Sequence, residues 1–192
     1  MATYKSIAYS PISGGGAEVL LETQTASCDA TLSFTSGIDS TYKEYIFKFI
    51  NIHGETDDQN FAWQCNAVGG SGYNETITSS SFFCQFAEDG SANDVAYTTF
   101  GDQANGTAFQ RLNHTNAAND ESLSGYLHIF NPSSATFVKH FMSRTSSVEE
   151  TPMIFDYFAA GFVNTPTAID EFQFKFSSGD IDLGTIKLYG VN

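Results

Sequence analysis

Four histidines, three cysteines and several acidic clusters are the side chains in this sequence best equipped for chemistry. Nucleophilic catalysis needs a Ser or Cys beside a base that a third group orients. The histidines are His53, His114, His128 and His140, and no Gly-x-Ser-x-Gly elbow accompanies any of them. His128 and His140 lie in strand-like runs, Tyr126–Phe130 and Ala135–Met142, that read as a hairpin around Asn131-Pro-Ser-Ser. Facing each other across two strands, they would form a paired-histidine metal or acid–base site. Solvent-facing or hydrogen-bonded strand histidines are the plainer reading. Cys28, Cys65 and Cys84 show no Cys-x-x-Cys or His/Cys spacing for zinc, and they are too few for a disulfide framework. They read as small apolar residues of a reducing compartment.

Carboxylates cluster at Glu55-Thr-Asp-Asp, Glu88-Asp-Gly, Asn119-Asp-Glu, Glu149-Glu and Asp180-Ile-Asp. Such loops are of the type that binds Ca²⁺, yet none follows an EF-hand register. A solvated, solubilising surface accounts for them, and no cofactor is expected, calcium being the one considered. A glycosidase pair would need a defined carboxylate separation, which sequence does not show. Gly14-Gly-Gly and Gly69-Gly-Ser-Gly are not phosphate loops, because no Gly-Lys-Ser/Thr follows and no helix starts there. Trp63, Tyr73 and Tyr97 are the aromatics that could stack on sugar rings, although Trp63 sits in an alternating run that core packing explains better. Asn74-Glu-Thr, Asn105-Gly-Thr and Asn113-His-Thr fit the glycosylation pattern without a secretory signal to go with it.

Composition narrows the classes further. The chain has 192 residues, 18 of them Phe and 9 Tyr, enough to fill the core of one domain. Its 22 acidic and 8 basic residues leave a net charge of −14, which argues against nucleic-acid binding. No stretch approaches the roughly 18 apolar residues of a membrane span, so no membrane partner is expected.

The elements that must carry these side chains follow a period of two. Phe172, Phe174 and Phe176 would share one strand face, with Glu171, Gln173 and Lys175 on the other. Gly184–Val191 repeats the pattern, with Ile186 and Leu188 on one side and Lys187 and Tyr189 on the other. The turn-rich text from Ser177 to Gly184 reads as a link between adjacent antiparallel strands. Tyr45, Phe47 and Phe49 alternate with Ile46, Lys48 and Ile50, and Phe61, Trp63 and Cys65 with Ala62, Gln64 and Asn66. Ala30–Phe34, Ser81–Phe86 and Phe155–Val163 are further strand candidates, and no capped helical stripe is present. About eight short strands with polar turns predict an all-β, antiparallel β-sandwich, of jelly-roll type. Gly69–Asp120 is the most polar stretch and predicts long exposed loops. Residues 1–20 read either as an N-terminal arm hinged at Ser13-Gly-Gly-Gly or as an ordinary edge strand, with residues 21–192 as the sandwich domain. Tyr4, Ile7, Tyr9 and Pro11 are the arm's candidate assembly residues.

Three stretches carry a family resemblance. The run from Leu21 to Tyr42, the run Ser124-Gly-Tyr-Leu-His-Ile-Phe-Asn-Pro-Ser-Ser and the run from Phe172 to Gly190 resemble a sequence pattern of marine bacteriophage (cyanophage- and pelagiphage-type) virion structural proteins. With Tyr42–Ile52 they cover about half the chain, in the same order. The resemblance implies a non-enzymatic capsid decoration protein or tail fibre or appendage module, located in the virion and made in the host cytoplasm. Its implied partners are other virion proteins and copies of itself, a trimer being the natural closed ring. No catalytic or metal residues come with it. A host-receptor or glycan-binding module is the alternative.

Overall fold

The computed structural model describes residues 18–149 and 153–192. Thirteen strands and no helix form among them. In chain order they are β1 (Glu18–Thr25), β2 (Leu32–Phe34), β3 (Glu44–Gly54), β4 (Gln59–Ala67), β5 (Ile77–Ala87), β6 (Asn93–Tyr97) and β7 (Gln103–Gly106). There follow β8 (Gln110–Thr115), β9 (Leu123–Phe130), β10 (Lys139–Glu149), β11 (Met153–Val163), β12 (Ile169–Phe176) and β13 (Ile181–Val191). A large antiparallel sheet has the order β1-β13-β3-β9-β10-β11-β5-β6, with β7 also paired to β5. A small antiparallel sheet has the order β2-β12-β4-β8. The two pack as the expected β-sandwich; their order does not establish a jelly-roll winding within it.

Phenylalanine alternation makes the contact between the layers. Phe47 and Phe49 of β3 point inward beside Leu127 of β9 and Ile186 and Leu188 of β13, all nearly or fully buried. From the small sheet, Phe34, Phe61, Trp63, Phe172 and Phe174 meet them. Phe174 has its ring centroid 5.0 Å from that of Phe47, 5.4 Å from Phe49 and 6.0 Å from both Phe34 and Phe61. Mostly edge-on contacts of this kind suit the ring quadrupoles.

Two sequence expectations are corrected. The Ser177–Gly184 link does not join neighbouring strands of one sheet: β12 belongs to the small sheet and β13 to the large one. Both edges of β12 are taken by β2 and β4, so its Phe face meets the β13 apolar face across the core instead. The polar stretch Gly69–Asp120 is not mainly long loops, since it contains β5, β6, β7 and β8. Its polar side chains are used inside the structure. Gln64, fully buried on the outer side of β4, donates from Nε2 to the carbonyls of Glu75, Thr107 and Ala108. Those bonds hold the 68–76 and 107–109 segments against the outer side of β4. The proposed arm residues Tyr4, Ile7, Tyr9 and Pro11 lie outside the described residues. Glu18 to Leu20 open β1 and pair with β13, so these three follow the edge-strand reading and not the arm.

β3 and β13 are bent together by a shared irregularity. Asn51 adopts φ 49° and Gly184 φ 123°, at the register shifts Phe49/Ile52 and Leu183/Thr185. A Cβ at Gly184 would come within 2.7 Å of the Asn51 carbonyl oxygen, so glycine is needed there for both reasons.

Truncating the ring at the centre of this core should be costly. Phe174→Ala is expected to lower unfolding free energy by about 3–5 kcal/mol, while Phe137→Ala at an exposed site stays within about 0.5 kcal/mol. Urea denaturation of both variants reads the difference.

Candidate functional site

The inner face of the large sheet is buried; its outer face is where large apolar side chains remain open. Alternation alone would put polar residues there. Instead β11 runs Met-Ile-Phe-Asp-Tyr-Phe-Ala-Ala-Gly-Phe-Val, apolar on both sides. Phe155, Tyr157 and Ala159 point inward to a small second core with Phe83. Ile154, Phe158 and Ala160 point outward.

Register fixes which outward residues are neighbours. Tyr126 of β9 opposes Arg144 of β10, Arg144 opposes Phe158 of β11, Phe158 opposes Phe82 of β5, and Phe82 opposes Tyr97 of β6. One step along the strands, His128 opposes Met142, Met142 opposes Ala160 and Ala160 opposes Ser80. The small side chains of Ala160 and Ser80 leave the second row low, whereas the first row stands up as aromatic rings. The result is a trough of about 360 Å³ lined by Phe82, Tyr126, His128, Phe130, Met142 and Phe158 over that floor. Phe82 and Phe158 stack with centroids 4.7 Å apart and planes 4° off parallel.

The charges on this face are paired locally. Arg144 donates to both oxygens of Asp156, at 3.1 and 2.8 Å, and its guanidinium lies 5.0 Å from the Phe158 ring centre. The His128 ring is hydrogen-bonded to Glu44, and Lys48 pairs with Glu18. Three carboxylates of this face, Asp156, Glu44 and Glu18, thus each lie against a basic side chain, on a chain of net charge −14. Such local partners lower the cost of burial against another surface, because desolvating unpaired charge is costly.

The sequence-predicted residues end in different places. Trp63 is fully buried between Phe141 and Phe172, with ring centroids at 5.0 and 5.6 Å, so the sugar-stacking reading of it is corrected: no ligand in solvent reaches that ring. Tyr73 lies over the small sheet, its backbone N–H donating to Asn66 Oδ1. Tyr97 is at the edge of the large sheet, 64% exposed, and bonded through its hydroxyl to Asp102. The structure therefore does not assemble the three into one stacking platform. The β9–β10 hairpin forms as predicted and puts His128 and His140 on one face. His128 nevertheless opposes Met142, and His140 packs against Phe162, so they do not face each other. Among the described residues no group of three His, Cys, Asp or Glu side chains is placed to hold a metal ion.

Two titratable groups are held by specific bonds. His53 Nδ1 lies 2.6 Å from Asp182 Oδ1, and its Nε2 lies 3.0 Å from the Ala118 carbonyl oxygen. Burial works against its protonation, but the Asp182 and Ala118 bonds outweigh this and raise its pKa above the usual 6.5. Lys139 is completely enclosed, donating to the carbonyls of Phe137 and Thr165 at 2.8 and 3.0 Å, and burial lowers its pKa. It anchors the loop before β10 and faces no open site.

The sign of the His53 effect is definite. A raised folded-state pKa means that the protonated His53–Asp182 pair stabilises the fold fully below pH 6.5. That contribution is lost as pH rises through the raised value. The melting-temperature gap between wild type and Asp182→Asn should therefore be wider at acid pH and shrink through neutrality; a gap independent of pH contradicts it. Comparison with known proteins finds no family model, no curated protein and no solved structure that matches this chain.

Proposed function

We propose that this chain is a non-enzymatic structural protein of a phage particle surface, a capsid decoration protein or a tail appendage component. In this reading it acts through contacts with other virion proteins and with copies of itself. The observation that carries the reading is the apolar patch beyond the trough. Phe86, Val95, Val148 and Ile154 are 52%, 70%, 45% and 47% exposed. Ile154 directly opposes both Val148 and Phe86, and Val95 opposes Cys84 next along β5, so the four are contiguous across β6, β5, β11 and β10. Single exposed apolar residues are ordinary; a joined set on a flat sheet is what protein contact surfaces use. The resemblance of the Leu21–Tyr42, Ser124–Ser134 and Phe172–Gly190 texts supplies the virion context. Three free cysteines accord with assembly in a reducing cytoplasm.

A patch that meets itself closes a two-fold pair, whereas the trimer that the resemblance implies has the patch meet a different surface of the next subunit. The purified chain is expected to show an oligomeric mass by light scattering. Phe86→Glu combined with Ile154→Glu should reduce that mass to one subunit with an unchanged circular dichroism spectrum. A wild-type monomer that is also missing from purified particles on immunolabelling overturns the reading.

A further inference from the structure

The outer face of the large sheet is corrugated, and its relief is complementary to itself. We propose that two copies of this chain pack outer face to outer face about a two-fold axis, the ridge of Phe86 and Ile154 on each entering the trough of the other. The proposal rests on the reading of that patch as a contact surface and deepens it by naming the partner and the symmetry.

Register sets the relief. The trough floor of Ser80 and Ala160 lies beside the high row of Phe82, Phe158, Arg144 and Tyr126. Next along the strands comes a low row, Cys84, Asp156, Ser146 and Ser124, where a second hollow of about 290 Å³ opens. Phe86, Ile154 and Val148 then stand as a second ridge. Successive rows are two residues, about 7 Å, apart along the strands. A two-fold axis lying in the contact plane, running across the strands and passing over Tyr157, reverses this order in the partner. Each strand then faces the same strand of the other copy, and high rows fall on low ones. Ile154 faces the partner's Ala160, Phe86 the partner's Ser80, Phe82 the partner's Cys84 and Tyr126 the partner's Ser124. An axis along the strands would set ridge on ridge instead. An axis one row nearer Ala160 would carry Phe86 and Ile154 past the ends of the facing β5 and β11, at Ile77 and Val163.

Charge agrees with shape. In these four rows, from β9 to β6, Arg144 and Asp156 are the only acidic or basic side chains apart from His128. The other acidic residues of the chain lie outside them. Arg144 faces the partner's Ser146, the direct cross-strand neighbour of the partner's Asp156. The two Arg144–Asp156 pairs therefore meet head to tail, cation beside anion. A guanidinium has five N–H donors, and Arg144 gives two of them to its own Asp156, so donors remain for the second copy. Area is sufficient as well. Five strands and four rows cover about 24 by 27 Å, a footprint of about 650 Å² before relief is counted. A stable pair buries about 800 Å² of accessible surface on each partner, which a corrugated face of that footprint supplies.

Disulfide trapping between differently substituted full-length chains tests the proposal, with Cys28→Ser and Cys84→Ser as background. An Ile154→Cys chain mixed with an Ala160→Cys chain is expected to form a linked pair on mild oxidation, and neither chain alone should. Ile154→Cys mixed with Phe86→Cys, two positions of one ridge, should form little. Separately, Ala160→Trp fills the trough and should lower the light-scattering mass from two subunits to one, the circular dichroism spectrum showing an intact sandwich. No bond between residues 154 and 160, equal trapping in both mixtures, or an Ala160→Trp mass equal to wild type would each overturn it. A wild-type mass of three subunits overturns the two-fold pair while leaving the patch a contact surface. A wild-type monomer overturns the pair, and its absence from purified particles would remove the functional reading as well.

Discussion

Edge-on packing of Phe47 and Phe49 against Phe174, with Phe172 tilted beside Phe47, is the contact on which the molecule depends. It joins two sheets of unequal size, nine strands against four. A four-stranded layer about 15 Å across cannot cover a nine-stranded one. The inner face of the large sheet is therefore completed at its β11–β5 end by other means. β8 reaches across to β10 and β11, and a small second core forms from Phe155, Tyr157 and Phe83. Gly101 lies against the Tyr157 hydroxyl, where a Cβ would fall 1.5 Å from that oxygen, so only glycine allows the tyrosine to point inward. With the inner face finished in this way, no element of the described chain is left to cover the outer one.

Buried amides hold the peripheral segments that the aromatic contact cannot reach. Gln64 ties two loops over the small sheet, and Gln110 donates from Nε2 to the Gly101 carbonyl. Asn113 donates from Nδ2 to the carbonyls of Thr145 and Phe155, linking β8 to β10 and β11. Each of these side chains is fully buried, so losing its partners would leave a desolvated polar group in the interior. They explain how a segment with so few apolar residues is nevertheless strand for much of its length. Gln64 of β4 bonds its backbone, and its own Gln110 and Asn113 tie it to itself and to β10 and β11.

Strands with clean alternation were the legible part of the sequence. Phe172, Phe174 and Phe176 mark β12 because one face is buried and the other solvated, and Tyr45, Phe47 and Phe49 mark β3 in the same way. β6, β7 and β8 were not legible, since their pairing is set by long-range contacts and not by their own polar side chains. Sheet membership was hidden too: the Ser177–Gly184 link looks like a hairpin, but which edge a strand joins depends on partners far away in sequence. The outer face did leave a signal. In β11, and in the adjacent Phe82 and Phe83 of β5, apolar residues fall on both faces, and a strand apolar on both faces has two surfaces to bury. Trp63 misleads as a ligand contact because an alternating run cannot say which of its faces is enclosed.

A large sheet apolar on its outer face suits the proposed role, a surface that other subunits cover. Arg144 neutralises Asp156, His128 gives Glu44 a hydrogen-bond partner, and the low Ala160–Ser80 floor gives the face relief for a complementary shape. Hydroxyl-radical footprinting of the chain in its native assembly, compared with the isolated chain, tests this most directly. The account predicts strong protection of Phe86, Val95 and Ile154 in the assembly and none at Phe137 or Leu183. Equal labelling of all five in both states would contradict it.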